Sequence, residues 1–171
     1  LDEYKKYYRE YLTGFEKAHP IISAPQLGIR ESRRVMGEYV MTLDDFLNRA
    51  SFEDEIGRYS YPVDIHSPTN DDTGYRKFAD EHQRYRYKKG ESYGIPYRAL
   101  VVRGLDNLLV AGRCISADRY IQSSIRVIPG CYITGQAAGV GAAVAASSGK
   151  PARDADITEI RRTLAKLGAY L

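Results

Sequence analysis

The apolar residues of this chain form helical stripes at both ends and short strand-like runs between them. Residues 2–18 carry aromatic or apolar side chains three and four positions apart, at Tyr4, Tyr7, Tyr8, Tyr11, Leu12 and Phe15. This spacing lines one face of an α-helix. The helix is predicted to end at His19, because a residue before proline disfavours the helical conformation. A second stripe predicts a helix over 157–167, and it consists of Ile157, Ile160, Leu164 and Leu167.

Between these stripes the pattern favours short β-strands. Strands are predicted at 26–36, 56–60, 62–65 and 97–102, and a hairpin is predicted from 84–87 and 92–95 around a turn at 88–91. Thr42 is expected to cap a short helix beginning near Leu43, because acidic residues follow in its first turn. Residues 67–84 are polar and rich in turn-forming residues, and they predict a loop.

The rest of the chain is organised around residues 106–149. A short apolar run at 108–111 is stopped by Gly112 and predicts a buried strand. Pro129 suits the first turn of a helix, and the residues from there to Ala146 are rich in Ala, Gly and Val and carry no charge. Each glycine weakens a helix by roughly 1 kcal/mol relative to alanine, so close packing against another backbone is expected. The pattern predicts a strand, a wide loop and a buried helix in a mixed α+β chain.

The beginning of that helix is a candidate ligand site. A helix N-terminus presents unpaired N–H groups and partial positive charge, which favour anions and carbonyl oxygens. Arg113 and Arg126 flank it in sequence. Together they predict a cradle for an anionic or electron-rich ligand.

Composition narrows the class of protein. The 171 residues are 43% hydrophobic and 27% charged, which is typical of a globular chain, and the net charge of +3 is too small to indicate nucleic-acid binding. Cys114 and Cys131 have neither a metal-type spacing nor the number needed for a disulfide scaffold. The uncharged stretch 127–149 is long enough for a membrane span, but Ala and Gly gain little from lipid, so no membrane partner is expected.

The start of the chain has no signal-peptide pattern and no initiator methionine. Its first residues are Leu1, Asp2 and Glu3. We therefore expect a piece of a longer or processed protein, and the compartment stays open.

Several segments together resemble the C-terminal part of a flavoprotein with two dinucleotide-binding domains, of the FAD-dependent oxidoreductase family. The segments are 29–39 (IRESRRVMGEY), 61–66 (YPVDIH), 94–100 (GIPYRAL), 104–116 (GLDNLLVAGRCIS), 124–129 (SIRVIP) and 135–143 (GQAAGVGAA). The resemblance implies four regions: an N-terminal helix at 1–24, a β-rich substrate-type region at 25–103, the last strand and Gly/Ala-rich helix of a Rossmann-like FAD domain at 104–150, and a C-terminal helix at 151–171.

The resemblance also implies where FAD would lie. The backbone at Ala111, Gly112 and Arg113 would approach the cofactor, and residues 126–131 would lie where the flavin ring ends. The cofactor residues expected in this second segment are Arg126, Val127, Pro129 and Cys131. Outside this family, Gly112 would be read as a glycine that ends a strand, and Arg126 as an arginine in a salt bridge.

No Gly-x-Gly-x-x-Gly motif follows a strand anywhere in the sequence. That motif makes the main pyrophosphate site of a flavoprotein, so the resemblance implies an N-terminal FAD-binding half as a partner. The present chain would be inactive alone. Without that half, exposed apolar surface would favour self-association.

Three residues are candidates for catalysis. His66 would take a substrate proton, with Asp64 on the same side of a strand to orient its imidazole. Arg30 and Tyr97 would bind a carboxylate or sugar hydroxyls, together with Arg33 and Arg98. For the arginines, ion pairs with Glu31 and Glu38 are an equally good interpretation.

The leading hypothesis is hydride transfer to flavin from a small polar substrate such as a carbohydrate or hydroxy compound. The alternative is a non-catalytic β-rich module that binds a partner or forms oligomers without flavin. The missing pyrophosphate motif and the Tyr-rich first helix favour this alternative.

Overall fold

The computed structural model describes residues 1–65 and 85–171. Within them lie five α-helices, which we number α1 to α5, and two strands, β1 and β2. The helices are α1 (Asp2–Tyr11), α2 (Leu43–Leu47), α3 (Arg119–Ile125), α4 (Ile128–Ser148) and α5 (Ile157–Lys166). The strands are β1 (Glu55–Tyr59) and β2 (Tyr93–Pro96), and short 3-10 turns lie at Tyr97–Ala99, Gly112–Cys114 and Ala152–Asp154. This mixture of helices with a small sheet agrees with the predicted α+β class.

The two strands pair in antiparallel register, with Tyr59 opposite Tyr93 and Gly57 opposite Ile95. The register shifts at Ile56, where the ladder has a bulge. The prediction that 92–95 pairs with 84–87 is therefore wrong. The turn before it is present, since the Glu91 N–H donates to the Lys88 carbonyl, but β2 finds its partner 34 or more residues earlier in the chain.

The core lies between this sheet, α4 and α5. Ile56, Tyr93 and Ile95 are buried, and Ile160 and Leu164 of α5 are buried in the same cluster. α5 has the amphipathic stripe that the sequence predicted, and its N-terminus is capped by the Asp156 carboxylate. Burying such apolar side chains contributes roughly 1.5–3 kcal/mol for each.

Helix α4 confirms the helix predicted from the Gly/Ala-rich run, but the prediction that it is buried holds along one side only, at Gly130, Thr134, Ala137, Gly141 and Ala145. Pro129 lies in its first turn, and Gly149 ends it in the left-handed conformation at φ 63°. Gly141 lies directly against the Tyr97 ring, so glycine permits the close approach there. Gly135 and Gly139 have no atoms within 4 Å of where a Cβ would be. Of the three glycines for which close packing was expected, Gly141 packs closely against another part of the chain, and Gly135 and Gly139 do not.

Several predicted strands are absent from the described structure. Residues 26–36, 62–65 and 108–111 form no strand, and 97–102 is a 3-10 turn followed by isolated bridges. Leu109 makes one such bridge, to Val101, and Val110 donates to the Leu100 carbonyl. A strand needs a ladder of hydrogen bonds along an edge, and a single bridge does not supply one.

Two helices differ from their predictions. α1 ends at Tyr11 instead of His19, and Gly14 follows at φ 92°, a conformation that glycine adopts without strain. α3 lies where the sequence predicted a wide polar loop. The Asp118 carboxylate accepts from the Ile121 N–H and caps α3, so the acidic residue at 118 was the sequence signal for this helix. α2 confirms its prediction, with a capping box between Thr42 and Asp45.

Among the described residues, no single helix is long and apolar enough to cross a membrane. α3 and α4 would reach that composition only as a pair, and they meet at 94°.

Candidate functional site

A cavity of about 450 Å³ opens where three parts of the chain meet. They are the irregular segment around residue 30, the segment that follows β1, and the start of α4 with the 3-10 turn at Gly112–Cys114. Its lining residues are Arg30, Tyr61, Asp64, Arg113, Arg126, Val127, Ile128 and Pro129. The cavity therefore brings together five of the sequence-predicted site residues, which come from positions nearly 100 residues apart.

The glycine turn and the beginning of α4 are joined directly. Gly112 has φ 74° and donates its N–H to Thr134 Oγ1 at 2.9 Å. The same hydroxyl donates to the carbonyl of Gly130 or Cys131, at 2.9 and 3.1 Å. A Cβ at Gly112 would lie 3.7 Å from Cys131 Sγ. Thr134 is fully buried, so this connection fixes the turn against the first turns of the helix.

The first turn of α4 faces the cavity without a capping side chain. Val127 is the N-cap residue and makes no side-chain hydrogen bond to the helix. The turn from α3 into α4 is tight, because a Cβ at Gly130 would overlap the Ile125 carbonyl oxygen. Pro129 has no N–H, the Gly130 N–H bonds to the Tyr59 hydroxyl, and the Cys131 N–H donates to the Val127 carbonyl. The Ile128 N–H is therefore the first-turn donor left for a ligand, at the point where the helix dipole is positive.

Arg126 is the most buried charged residue of the cavity, with 9% of its surface exposed. Its Nη1 donates to Glu31 Oε2 at 2.8 Å, and its Nη2 donates to the Asp64 carbonyl at 2.9 Å. The Asp64 carboxylate lies 3.8 Å from the same guanidinium. A buried guanidinium needs such partners, because an unpaired charge in the interior costs several kcal/mol. The sequence prediction of a salt bridge at Arg126 is therefore confirmed, within the same cavity.

Arg30 and Arg113 stand at the more exposed side of the cavity. Arg30 Nη1 lies 3.9 Å from Asp64 Oδ2, and its side chain is 62% exposed. Arg113 Nη1 donates to the Ile29 carbonyl at 2.8 Å. Residues 29–31 are thus held to the cavity by contacts with Arg113, Asp64 and Arg126.

Tyr97, which the sequence suggested for catalysis, lies in the core and does not line this cavity. Its side chain is 4% exposed, and its hydroxyl donates to the Ala152 carbonyl at 2.9 Å. Burial raises the pKa of Tyr97 to about 12. Arg98 also points elsewhere, to Asp54 at 2.9 Å. His66 lies outside the described residues.

The two cysteines lie beside the glycine turn. Cys114 Sγ donates to the Ala111 carbonyl and Cys131 Sγ to the Arg126 carbonyl, both at 3.4 Å. Burial raises the pKa of the Cys131 thiol. A thiol with a raised pKa is a poor nucleophile, which agrees with a packing role.

Sequence reasoning missed three residues of this region. Tyr61 and Ile128 line the cavity, and Thr134 connects the turn to the helix. Tyr61 and Ile128 lie within the segments 61–66 and 124–129 that carry the family resemblance, but nothing in the sequence pattern showed which way their side chains point. Thr134 carried a signal that could have been used, since a hydroxyl inside a helix often bonds to backbone groups.

The comparisons with known proteins support one family. The family model described as FAD dependent oxidoreductase matches residues 1–164. No match was found among the curated proteins or among the solved structures. Because the match extends over nearly the whole chain, this protein belongs to the FAD-dependent oxidoreductase family.

Proposed function

We propose that this chain is the C-terminal portion of a FAD-dependent oxidoreductase that transfers hydride to flavin from a small polar substrate. Membership of the family supports redox chemistry with FAD. The observation that carries the location of the site is the junction of the Gly112 turn with the first turns of α4, beside a cavity lined by three arginines.

The residues at this junction fit an electron-rich ring system. The start of α4 has no side-chain cap, and its positive dipole end favours a carbonyl oxygen or a developing negative charge. Gly112 keeps the turn free of a side chain next to Cys131. The backbone of Ala111, Gly112 and Arg113 would lie along the cofactor. Val127, Pro129 and Cys131 would shape the start of α4, where the Ile128 N–H would donate to the flavin pyrimidine. When bound, FAD supplies the hydride acceptor.

The remaining steps belong to side chains of this chain. Arg126 is fixed by Glu31 and Asp64 and adds positive charge beside the helix start. Arg30 would orient the substrate from the open side of the cavity. His66 would take the proton of the substrate hydroxyl or amine, and Asp64, two residues earlier, would hold the segment in place through Arg126.

A partner half that carries the pyrophosphate site is part of the proposal. The sequence has no Gly-x-Gly-x-x-Gly motif after a strand, so the phosphates of FAD need another binding element. One side of α4 supports this, since Gly135 and Gly139 face open space and Ile128 and Tyr132 are mostly exposed. A backbone or sheet could lie closely against these small residues.

The non-catalytic alternative is favoured by one observation. α1 has no buried residue, and its tyrosines stack on one another, with Tyr7 and Tyr11 centroids 5.4 Å apart. An exposed aromatic face of this kind suits a protein partner or a second copy.

The test is the visible spectrum of the protein expressed from its complete reading frame. Flavin absorbance bands, bleached by a reductant, would support the oxidoreductase. A colourless protein that also does not bind added FAD would refute the oxidoreductase and favour the non-catalytic binding module.

A matched pair of variants tests the location of the site. Gly112→Leu should weaken FAD binding by about tenfold or more, because a side chain would enter the junction with α4. Gly104→Leu is the control, because it has the same positive φ, at 79°, and no neighbours within 4 Å. Equal FAD affinity in the two variants would refute the assignment of the Gly112 turn.

A further inference from the structure

The three arginines of the cavity differ in their anionic partners. Three guanidinium groups, those of Arg30, Arg113 and Arg126, line it. Two carboxylates face them: Asp64 lies within 4 Å of Arg30 and of Arg126, and Glu31 binds Arg126. Arg126 is buried, whereas Arg30 and Arg113 are exposed, and neighbouring like charges repel one another unless anions compensate them. Among the described residues, Arg30 and Arg126 therefore each have a carboxylate within 4 Å, and Arg113 has none.

Arg113 is the arginine of the cavity that can receive an added anion. In the part of the chain that the structure describes, Arg113 makes no ion pair, and its recorded side-chain bond goes to the Ile29 carbonyl. That bond uses one of five guanidinium N–H groups and holds the side chain at the cavity wall. The guanidinium is thus oriented in advance and keeps donors for a second partner. Arg126 shows how the same cavity receives a carboxylate, since it binds the Glu31 side chain at 2.8 Å.

The volume and lining of the cavity suit a small organic acid as its ligand. A cavity of about 450 Å³ is within the range of small-molecule sites, and its walls include the apolar side chains of Val127, Ile128 and Pro129 beside the arginines. A planar guanidinium binds a carboxylate through two parallel hydrogen bonds, which fix the orientation of the ligand. The apolar wall lies on the side of the α4 start, where the reacting carbon would have to lie if flavin binds there.

We propose that the substrate of this protein is a small carboxylate, and that the Arg113 guanidinium binds its carboxylate group at the mouth of the cavity. The inference rests on the proposed function for the reaction, and it adds the chemical class of the substrate. Arg113 then has two parts with different roles, since its backbone lies at the cofactor turn and its side chain recognises the substrate.

The test uses the FAD-loaded protein from the complete reading frame and short carboxylates as probes. Acetate, malonate, succinate and benzoate are titrated beside their neutral amides, and binding is followed by the change in flavin absorbance. At least one carboxylate should perturb the spectrum while its amide does not. Arg113→Gln should weaken that binding by about tenfold or more, because a charged hydrogen-bonding partner is lost. Arg113→Lys keeps the charge but loses the planar guanidinium, so its carboxylate affinity should lie between those of the unchanged protein and Arg113→Gln.

Arg103→Gln is the matched control. Arg103 is exposed, does not line the cavity and makes no ion pair among the described residues, so its substitution should leave the affinity unchanged. The inference is overturned if no carboxylate binds better than its amide, or if the best one binds Arg113→Gln as tightly as the unchanged protein. It is also overturned if Arg113→Gln binds FAD more weakly but, once loaded with FAD, keeps its carboxylate affinity, which would assign the guanidinium to the cofactor. A protein that never takes up FAD refutes the proposed function instead.

Discussion

Adding one methyl group at Gly141 would press it into the ring of Tyr97. A Cβ there would lie 2.6 Å from Tyr97 Cε2 and 2.7 Å from its hydroxyl oxygen. Both residues are buried, and the Tyr97 hydroxyl is held by the Ala152 carbonyl, so the ring has little freedom to move. Overpacking of this kind typically costs about 1–3 kcal/mol.

The Gly141→Ala substitution also has a stabilising effect, because alanine has a higher helix propensity than glycine. Alanine is better than glycine inside a helix by about 1 kcal/mol. Gly141→Ala should therefore destabilise the chain by about 0–2 kcal/mol in total. Gly139→Ala, two residues earlier in α4, meets no atom within 4 Å and should stabilise it by about 1 kcal/mol. The difference between the two variants isolates the steric cost, at about 1–3 kcal/mol, because the propensity gain is common to both.

The assay is urea unfolding of both variants, followed by far-UV circular dichroism and analysed for the free energy of unfolding. A second comparison adds Gly141→Ala to Tyr97→Leu, where the ring is gone and the added methyl group should become stabilising. Equal stability of the Gly139 and Gly141 variants would refute this packing of α4. The packing would also be refuted if Gly141→Ala still lowered the free energy of unfolding in the Tyr97→Leu variant.

Three further predictions concern the junction and the tyrosines. Thr134→Val should cost about 1–3 kcal/mol, because the Gly112 N–H loses its buried acceptor, whereas Ser148→Ala, at an exposed helix end, should change the free energy of unfolding by less than about 0.5 kcal/mol. Gly112→Ala should cost about 1–2 kcal/mol from its positive φ alone, and as much as Gly104→Ala, because its Cβ would only touch Cys131 at 3.7 Å. Stability should be full below pH 10 and fall as the pH rises towards about 12, because burial raises the pKa of Tyr97 from 10.0 to about 12 and the unfolded chain loses that proton first.

The outcomes that would contradict these predictions are specific. Equal effects of the Thr134 and Ser148 variants would mean that the bond to Gly112 contributes nothing. A much larger cost at Gly112 than at Gly104 would mean that the junction is tighter than the distance to Cys131 allows. The alkaline prediction is checked by urea midpoints from pH 9 upward, together with tyrosinate absorbance. Other buried tyrosines contribute in the same direction, so Tyr97→Phe should reduce the loss of stability without abolishing it.

Local sequence signals determined the elements that depend on neighbouring residues. The capping box that begins α2, the proline in the first turn of α4 and the glycine at its end act within one helical turn, so they can be recognised in the sequence. The amphipathic stripe of α5 likewise requires only a periodicity. The family resemblance rested on short sequence segments, which are also local, and the match over residues 1–164 confirms it.

Only the tertiary structure decided which segments meet. Strand pairing depends on a partner that can lie anywhere in the chain, which is why β2 pairs with β1 and why 108–111 forms a single bridge instead of a strand. The direction in which a side chain points also depends on distant segments that pack around it. Tyr97 turned into the core to cover Gly141, whereas Arg30, Arg113 and Arg126 converged on one cavity from distant positions. The sequence supplied these charges, and the fold determined that they face the same space.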